Sequence, residues 1–382
     1  FTVVPDADQS THTKYSLLAT ECAMSVTNKI NPSLASLLVD ASIESYYAYD
    51  PHLPARCKLT LVSPPAGYDI IDCWTGLDAV FSNFGVYECF GVVFRSQAAP
   101  HSYVFSFRGT YSMLDVLEDA DFWEKYSFVP LRGPRRATDA KVAGGFWSIY
   151  SGSRAGSKSM QQQLFDLLDR YQASTEPIGQ LYITGHSLGA ALSELFTLDL
   201  ALSAYGIPYQ NYNYAGPLVG NSAFAQLYDS QPRELDPETR TLRIQNTYDI
   251  VPCSPPQLFG YQHVGDAYLI AFYNKNAGWL NPEAKLYDHQ AVNYQAVLSC
   301  AFSSLQGYCD TDNLVVGTET LVSRKPDPST LCMYWPETQP PVAPVCIPTP
   351  VDGDVPTATI AEVLPPSSSA DEDSGRTSDD LR

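Results

Sequence analysis

The sequence lacks several features that would assign it to common classes of protein. Basic residues are scarce: 23 Lys and Arg stand against 42 Asp and Glu in 382 residues, which gives a formal net charge of −19. Such a surface repels nucleic-acid phosphates and anionic headgroups, so we expect no nucleic acid partner and no electrostatic docking on anionic membranes. No apolar run is long enough to cross a bilayer, so we also expect no transmembrane segment.

Metal-binding signatures are missing as well. None of the nine cysteines forms a Cys-x-x-Cys pair or a paired Cys/His cluster, so we expect no metal site. Nine cysteines favour an oxidising compartment, and the odd number leaves at least one thiol over or paired between chains. Cys57 with Cys73, and Cys300 with Cys309, are candidate local disulfides.

The chain begins at Phe1 instead of Met, and a removed signal peptide is our expectation for this start. Secretion then follows as a hypothesis. Glycosylation signals give it no support, because the one near match, at Asn31, is excluded by the proline that follows.

Strands and helices alternate through the middle of the chain, which predicts an α/β sheet. A hairpin-like pair at its entry predicts a mixed sheet. Residues 59–62 are interpreted as a strand, and residues 68–84 as irregular. The patterns predict helices at 15–30, 33–47, 160–171, 188–205 and 287–302, and strands at 87–94, 103–107, 180–184, 209–214, 241–246 and 267–273.

The composition changes near residue 325. Eight prolines follow between 326 and 350, and an acidic tail rich in Ser, Asp and Glu continues to the end. Such a segment cannot bury enough apolar surface to offset the entropy lost on ordering. We therefore predict one globular domain over 1–325 and a largely disordered extension over 326–382.

The strongest chemical signal is a Gly-x-Ser-x-Gly stretch at 185–189. A short apolar strand precedes it and an Ala/Leu-rich helix follows, which is the setting of a nucleophile elbow. Such a turn lifts Ser187 out of the sheet at the positive end of a helix. The Leu188 N–H would then face an oxyanion on a substrate, and Thr110, after the strand at 103–107, is the candidate second donor. Thr110 also suits a helix N-cap.

A serine nucleophile needs a base and an acid that orients it. Asp249 follows the strand at 241–246, at the sheet edge where α/β proteins place their sites. Asp229, Asp236 and Asp266 are rivals in polar loops. In the expected order of Ser, acid, then His, only His263 and His289 qualify as the base, and the residues alone do not choose between them.

With these pieces the chain resembles the fungal-type (class 3) lipase family over roughly residues 35–305. Phe-Arg-Gly-Thr at 107–110 looks like the family's oxyanion loop, and the stretch at 185–191 is similar to its elbow. The segments at 214–224, 246–252, 261–265 and 287–294 are similar to its later motifs. The resemblance implies an α/β-hydrolase fold over 1–325, with a mixed, predominantly parallel central sheet flanked by helices and a helical lid over the site.

The resemblance also assigns roles to residues. It implies Ser187 as nucleophile, Asp249 as acid and His289 as base, with His263 in a structural position and Thr110 and Leu188 as the oxyanion hole. Where the family usually has Val-His-x-Gly-Phe, this chain has Ala143 in place of the histidine. Residues 111–123 are amphipathic and fall at the lid position, without the family's usual Arg-x-Trp. An ordinary surface helix is the alternative for this stretch.

These assignments imply a secreted triacylglycerol lipase that acts on acylglycerols at a lipid–water interface, without a metal or organic cofactor. A carboxylesterase of feruloyl-esterase type or a phospholipase is the alternative within the same chemistry. A catalytically inactive lipid- or ester-binding protein on the same fold is the alternative outside it.

Overall fold

The structure, a computed structural model, describes residues 29–331 with gaps at 79–84, 111–120, 134–138, 204, 232–240, 256–258 and 276–286. Three predictions therefore lie wholly or mostly outside the described residues: the helix at 15–30, the lid at 111–123 and the extension at 326–382. The domain boundary at residue 325 stays a prediction. Within the described ranges, no helix has both the length and the apolar character needed to span a membrane.

The described strands form three sheets, and the central one has seven strands. In chain order the strands are β1 Tyr68–Asp78, β2 Val86–Ser96, β3 Ser102–Phe107, β4 Lys125–Ser127, β5 Lys141–Ala143, β6 Gln180–His186, β7 Tyr209–Tyr214, β8 Gly220–Asn221, β9 Thr241–Asn246, β10 Tyr261–Gln262, β11 Asp266–Ile270, β12 Phe272–Asn274, β13 Thr311–Val316 and β14 Glu319–Ser323. The central sheet runs β1-β2-β3-β6-β7-β9-β11. Its β1, β2 and β3 pair antiparallel, and the other neighbours pair parallel. The predicted mixed, mostly parallel α/β sheet is confirmed.

Helices cover both faces of this sheet. In chain order they are α1 Pro32–Tyr47, α2 Gly144–Ser151, α3 Met160–Gln172, α4 Leu188–Leu202, α5 Ser222–Asp229 and α6 Ala291–Ser303. The start of α1 follows from its sequence, because the Asn31 side chain accepts the N–H of Leu34 at 3.1 Å and Pro32 needs no hydrogen-bond acceptor.

Alternating strand residues feed two hydrophobic cores. In β2, Val93 belongs to the core that also holds Leu164 of α3 and Leu192 of α4. Its neighbour Val92 belongs to the core that holds Leu38 of α1 and residues of α6. Period-two alternation thus places apolar side chains on both faces, as a central strand covered by helices on both sides requires. This arrangement holds the carboxyl ends of β3, β6 and β9 in fixed register.

Two predictions from local pattern were wrong. The stretch predicted as a strand at 59–62 is a 3₁₀ turn, Leu59–Leu61, in which the Val62 N–H bonds back to the Leu59 carbonyl at 3.2 Å. The stretch read as irregular at 68–84 contains β1, the long edge strand. Register irregularities between Ile70 and Asp72 and between Trp74 and Thr75 break the strict alternation by which a strand is recognised in a sequence.

The disulfides confirm one expected pairing and correct the other. Cys300 and Cys309 are bonded, as predicted from their spacing. Cys57 is bonded to Cys89 of β2, and Cys73 of β1 is a free, half-buried thiol. Spacing along the chain suggested Cys73 because it is nearer in sequence. The loop before Cys57 instead packs on β2, where the Cys89 N–H bonds to the Pro54 carbonyl at 2.9 Å, and this places Cys57 beside Cys89.

Replacing both Cys57 and Cys89 with Ser is expected to lower the free energy of unfolding by roughly 3–4 kcal/mol, because the bond closes a loop with a sequence separation of 32. Urea unfolding of the full chain without reductant measures this change. The control is Cys73→Ser, which removes the free thiol and should leave the unfolding midpoint near that of the wild type. Equal midpoints for all three proteins would contradict the expectation.

The buried carboxylate of Asp199 connects α4 to α2, to α3 and to the loop at Leu131. On α4, the Asp199 carboxylate accepts hydrogen bonds from the Tyr150 hydroxyl at 2.9 Å, the Gln161 amide at 2.6 Å and the Leu131 N–H at 2.8 Å. Burial raises the pKa of Asp199 from 3.8 to about 6, although these donors oppose the shift. The folded state therefore holds this proton more tightly than the unfolded chain does.

Asp199 is expected to make folding stability depend on pH. Its contribution is complete below the ordinary pKa of 3.8 and is lost as the pH rises through about 6. Between pH 4 and 7, the free energy of unfolding of the wild type should therefore fall by about 2–3 kcal/mol relative to that of Asp199→Asn. Urea unfolding across that range measures the difference. Asp166→Asn, at the surface, is the control, and parallel curves for wild type and Asp199→Asn would refute the expectation.

Candidate active site

Ser187 lies at the sharp turn between β6 and α4, as the elbow prediction requires. Its φ of 60° and ψ of −124° are a conformation that residues other than glycine rarely adopt. The Ser187 N–H bonds to the Tyr214 carbonyl of β7 at 2.9 Å, and Ser187 is the N-cap of α4. The sheet and the helix thus hold a strained serine at the carboxyl edge, where the helix dipole favours negative charge.

Two glycines make the elbow possible by allowing close backbone approach. A Cβ on Gly185 would lie 2.3 Å from the Gly189 carbonyl oxygen, and one on Gly189 would lie 2.2 Å from the Phe107 carbonyl oxygen. A side chain at Gly185 would push β6 away from α4, and one at Gly189 would push α4 away from the end of β3. The pattern Gly-x-Ser-x-Gly is therefore a packing requirement of this turn.

Three predicted residues meet at the carboxyl edge of the sheet. The Nε2 atom of His289 lies 2.8 Å from the Ser187 Oγ, and its Nδ1 atom lies 2.7 Å from the Asp249 Oδ2. The carboxylate only accepts, so Nδ1 carries the proton and Nε2 is free to accept the proton of the Ser187 hydroxyl. Ser187, Asp249 and His289 are all buried. These distances allow the proton transfers that the predicted nucleophile, base and orienting acid require.

Further donors fix the orientation of Asp249. Its Oδ2 also accepts the Tyr294 hydroxyl at 2.8 Å, and its Oδ1 accepts the Val251 N–H at 2.9 Å. Burial raises the pKa of Tyr294 well above its usual value, so this hydroxyl keeps its proton. The Tyr294 oxygen in turn accepts the N–H of Asn246, the last residue of β9, at 3.0 Å. The carboxylate is therefore clamped by the strand end and by α6.

The two histidines that the sequence left open occupy different surroundings. His289 contacts Ser187, whereas His263 Nε2 lies 2.7 Å from the Pro252 carbonyl oxygen and supports the turn after Asp249. Burial and the nearby Arg243 guanidinium hold the pKa of His263 well below its usual range. His263 is thus a neutral donor to the backbone, which agrees with the structural position inferred from the resemblance.

The predicted oxyanion residues come from two segments in contact. Thr110 follows the end of β3, and a Cβ on the preceding Gly109 would lie 2.6 Å from the His186 carbonyl oxygen. Leu188 opens α4, and the N–H groups of a first helical turn have no acceptor within the helix. The loop at 108–110 therefore lies directly against the elbow, where Thr110 and Leu188 are predicted to hold an oxyanion.

A buried arginine anchors the loop that carries Thr110. The Arg108 guanidinium bonds to the Glu88 carboxylate and to the Cys89 carbonyl oxygen, each at 2.7 Å, and its charged group lies 4.3 Å from the centre of the Tyr49 ring. The Cys57–Cys89 disulfide holds the same part of β2. The oxyanion loop thus begins from a rigid support, which a preorganised donor requires.

Sequence reasoning missed two residues of this site. Tyr294 was noticed within a motif but not as a donor to Asp249. Tyr46, near the end of α1, was not noticed: its hydroxyl lies 2.9 Å from Nδ1 of His186, which is 140 positions away. An amphipathic helix pattern carries no signal for such a long-range contact. In the described part of the chain, no group of three or more His, Cys, Asp or Glu has an arrangement that would bind a metal ion.

The fold and this arrangement define a class of protein. The chain has the features of an α/β-hydrolase fold. It has a mixed sheet, a strained serine between β6 and α4, and an Asp and a His that follow this serine in the chain. Residues 104–259 match the model of the family "Lipase (class 3)". This match confirms the resemblance to the class 3 lipase family that the motifs show.

Individual relatives are similar over part of their length. Phospholipase A1-II 1 of Oryza sativa is 28% identical over 61% of this chain and 58% of its own. The lipase of Rhizomucor miehei is 31% identical over 57% of this chain and 56% of its own length. A secreted mono- and diacylglycerol lipase of Malassezia globosa is 29% identical over 50% of this chain and 56% of its own length. The chain thus spans a little over half of these relatives. A solved structure of the Rhizomucor miehei triacylglyceride lipase superposes with a TM-score of 0.43 at 23% identity, covering 63% of this chain and 82% of that one.

Proposed function

We propose that the protein is a serine ester hydrolase that cleaves acylglycerols through an acyl-enzyme. The observation that carries the proposal is the pair of contacts of His289, 2.8 Å to the Ser187 Oγ and 2.7 Å to the Asp249 carboxylate. The match of residues 104–259 to the class 3 lipase model supports the same reaction. The activity of the whole protein is part of the proposal, because the aligned relatives are covered over little more than half their length.

The geometry suggests how each residue contributes. Ser187 Oγ attacks the ester carbonyl carbon while its proton passes to His289 Nε2. Asp249 holds the imidazole with Nδ1 protonated and stabilises the positive charge that develops on it. The Leu188 N–H and Thr110 receive the oxyanion of the tetrahedral intermediate. The proton on His289 then moves to the leaving alcohol. Water next attacks the acyl-Ser187 ester while its proton passes to His289, and the fatty acid leaves as His289 returns that proton to the Ser187 Oγ.

Triacylglycerol is the substrate that we propose first, at a lipid–water interface outside the cell. The Malassezia relative is named a secreted mono- and diacylglycerol lipase, which supports an acylglycerol substrate and a place outside the cell, and the Rhizomucor relative is named a lipase. The Cys57–Cys89 and Cys300–Cys309 disulfides suit an oxidising compartment. The predicted lid at 111–123 belongs to this proposal: its apolar face would cover the site in water and turn outward on an oil surface.

A phospholipase A1 is the second candidate, because the rice relative carries that name at 28% identity. The full chain should be assayed on a triacylglycerol emulsion, on phosphatidylcholine vesicles, on a feruloyl ester and on a soluble short-chain ester. Fastest turnover of the emulsion is expected. Faster release of fatty acid from phosphatidylcholine would favour the phospholipase, and preference for the feruloyl or short-chain ester would favour the other esterases.

An inactive binding protein is the alternative outside this chemistry. Reaction with a fluorophosphonate probe distinguishes it, since only an activated serine forms the covalent adduct. We expect labelling at Ser187. A folded wild-type chain that neither reacts with the probe nor hydrolyses any of these esters would overturn the proposed function.

A further inference from the structure

His186 is a buried histidine beside the nucleophile that the reaction scheme above does not use. Its Nε2 atom lies 2.6 Å from the backbone carbonyl oxygen of His289, and its Nδ1 atom lies 2.9 Å from the Tyr46 hydroxyl. A carbonyl only accepts, so Nε2 carries the proton and Nδ1 accepts from Tyr46. These two contacts select one tautomer of a neutral ring.

The surroundings keep His186 neutral. The ring is almost completely buried, and its centre lies 4.7 Å from the centre of the His289 ring. Burial, and to a smaller extent the nearby His289, hold the pKa of His186 well below its usual range. A neutral ring here does not oppose the positive charge that His289 acquires in the proposed reaction.

Tyr46 connects this histidine to the oxyanion loop. A Cβ on Gly109 would lie 2.1 Å from the Tyr46 hydroxyl oxygen, so the loop backbone packs directly on that group. Tyr46 belongs to α1, which precedes the segment matched by the family model. One hydrogen-bonded path therefore joins α1, the elbow residue His186 and the backbone of the base, and it touches the loop that carries Thr110.

We propose that His186, held in one tautomer by Tyr46, is a positioning residue for the base: its N–H fixes the His289 backbone so that the imidazole spans Ser187 and Asp249. The inference rests on the proposed function and deepens it. His289 lies in a turn before α6. The hydrogen bond from His186 Nε2 connects the backbone carbonyl of His289 to the elbow. Loss of that donor would leave a buried carbonyl unsatisfied and allow the turn to move.

The test compares His186→Leu, which has no donor, with His186→Gln, whose amide keeps an N–H near the position of Nε2. For hydrolysis of a soluble short-chain ester by the full chain, His186→Leu should lower kcat by about 10- to 100-fold with little change in KM, as expected for a misplaced catalytic group. His186→Gln should recover most of that loss. Tyr46→Phe should lower kcat by about 3- to 10-fold, the effect of one buried hydrogen bond.

The matched control is Tyr228→Phe, which removes a buried hydroxyl that bonds to Thr241 at the other end of β9. It should leave kcat near that of the wild type, and thermal unfolding checks that every variant is folded. Wild-type kcat in folded His186→Leu, a loss in His186→Gln as large as in His186→Leu, or an equal loss in Tyr228→Phe would each overturn the proposal.

A second measurement does not depend on activity. The proton between His289 Nδ1 and Asp249 should give a downfield NMR resonance, and this resonance should shift or broaden in His186→Leu but not in Tyr228→Phe. An unchanged resonance in His186→Leu would count against positioning. If the wild type hydrolyses no ester, the proposed function fails, while the comparison of resonances still decides whether His186 positions the base.

Discussion

Ser187→Ala is expected to lower kcat for ester hydrolysis by about 10⁴-fold or more, the largest effect that we predict for a single substitution. The change removes the only atom that can form the acyl-enzyme in the proposed reaction. Ala keeps the small size that the crowded turn needs, although it inherits the strained φ of 60° at this position. The fold should therefore survive while the reaction is lost.

A matched serine on the same helix provides the control. Ser193 is buried in α4, and its hydroxyl bonds to the Ala190 carbonyl at 2.7 Å, away from His289. Ser193→Ala should keep most of the wild-type kcat, and its fluorophosphonate adduct should still form on Ser187. Residual activity of Ser187→Ala above about one part in 10³ would argue that another group attacks the ester.

The fold was predictable where local chemistry determines the structure. The ends of β9 at Thr241 and Asn246 and the start of α1 at Pro32 were predicted to within a residue, because alternation and capping residues mark them. The edge strand β1 was missed since its irregularities hide its period. The hairpin of β13 and β14 was also missed, and its mixed polar and apolar residues gave no distinct pattern.

The site was predictable only in part for a different reason. Ser187 can be recognised from the sequence because the turn requires Gly185 and Gly189 on either side of it. Its partners lie far away in the chain: His289 is 102 positions from Ser187, and the local pattern around it was no stronger than that around His263. The family resemblance, not periodicity or spacing, chose between them. Tyr46 had no such aid, because its role depends on how α1 packs against β6.

Asp249→Asn is expected to lower kcat by about 10³- to 10⁴-fold, even though the side chain keeps its size. The Asp249 Oδ2 accepts both His289 Nδ1 and the Tyr294 hydroxyl, and its Oδ1 accepts the Val251 N–H. An Asn has one acceptor oxygen for these three donors. If its NH₂ faces His289, Nδ1 must accept that hydrogen bond and Nε2 must carry the proton, so Nε2 can no longer accept the hydroxyl proton of Ser187.

The opposite orientation of the Asn side chain does not rescue the reaction. The amide NH₂ would then meet the buried Val251 N–H, donor against donor, and a neutral group would replace the charge that stabilises the imidazolium. Tyr294→Phe separates these effects, because it removes one donor and keeps the charge. Its kcat should fall by less than about 10-fold.

Asp229→Asn is the matched control for the acid assignment. Asp229 was a rival for this role from sequence, and its carboxylate accepts the Gly265 N–H at 2.8 Å, outside the contacts of His289. Its kcat should stay near that of the wild type, measured on the soluble ester so that lipid adsorption does not enter. If Asp229→Asn lost activity and Asp249→Asn kept it, the acid would be Asp229, and the His289–Asp249 contact would be structural only.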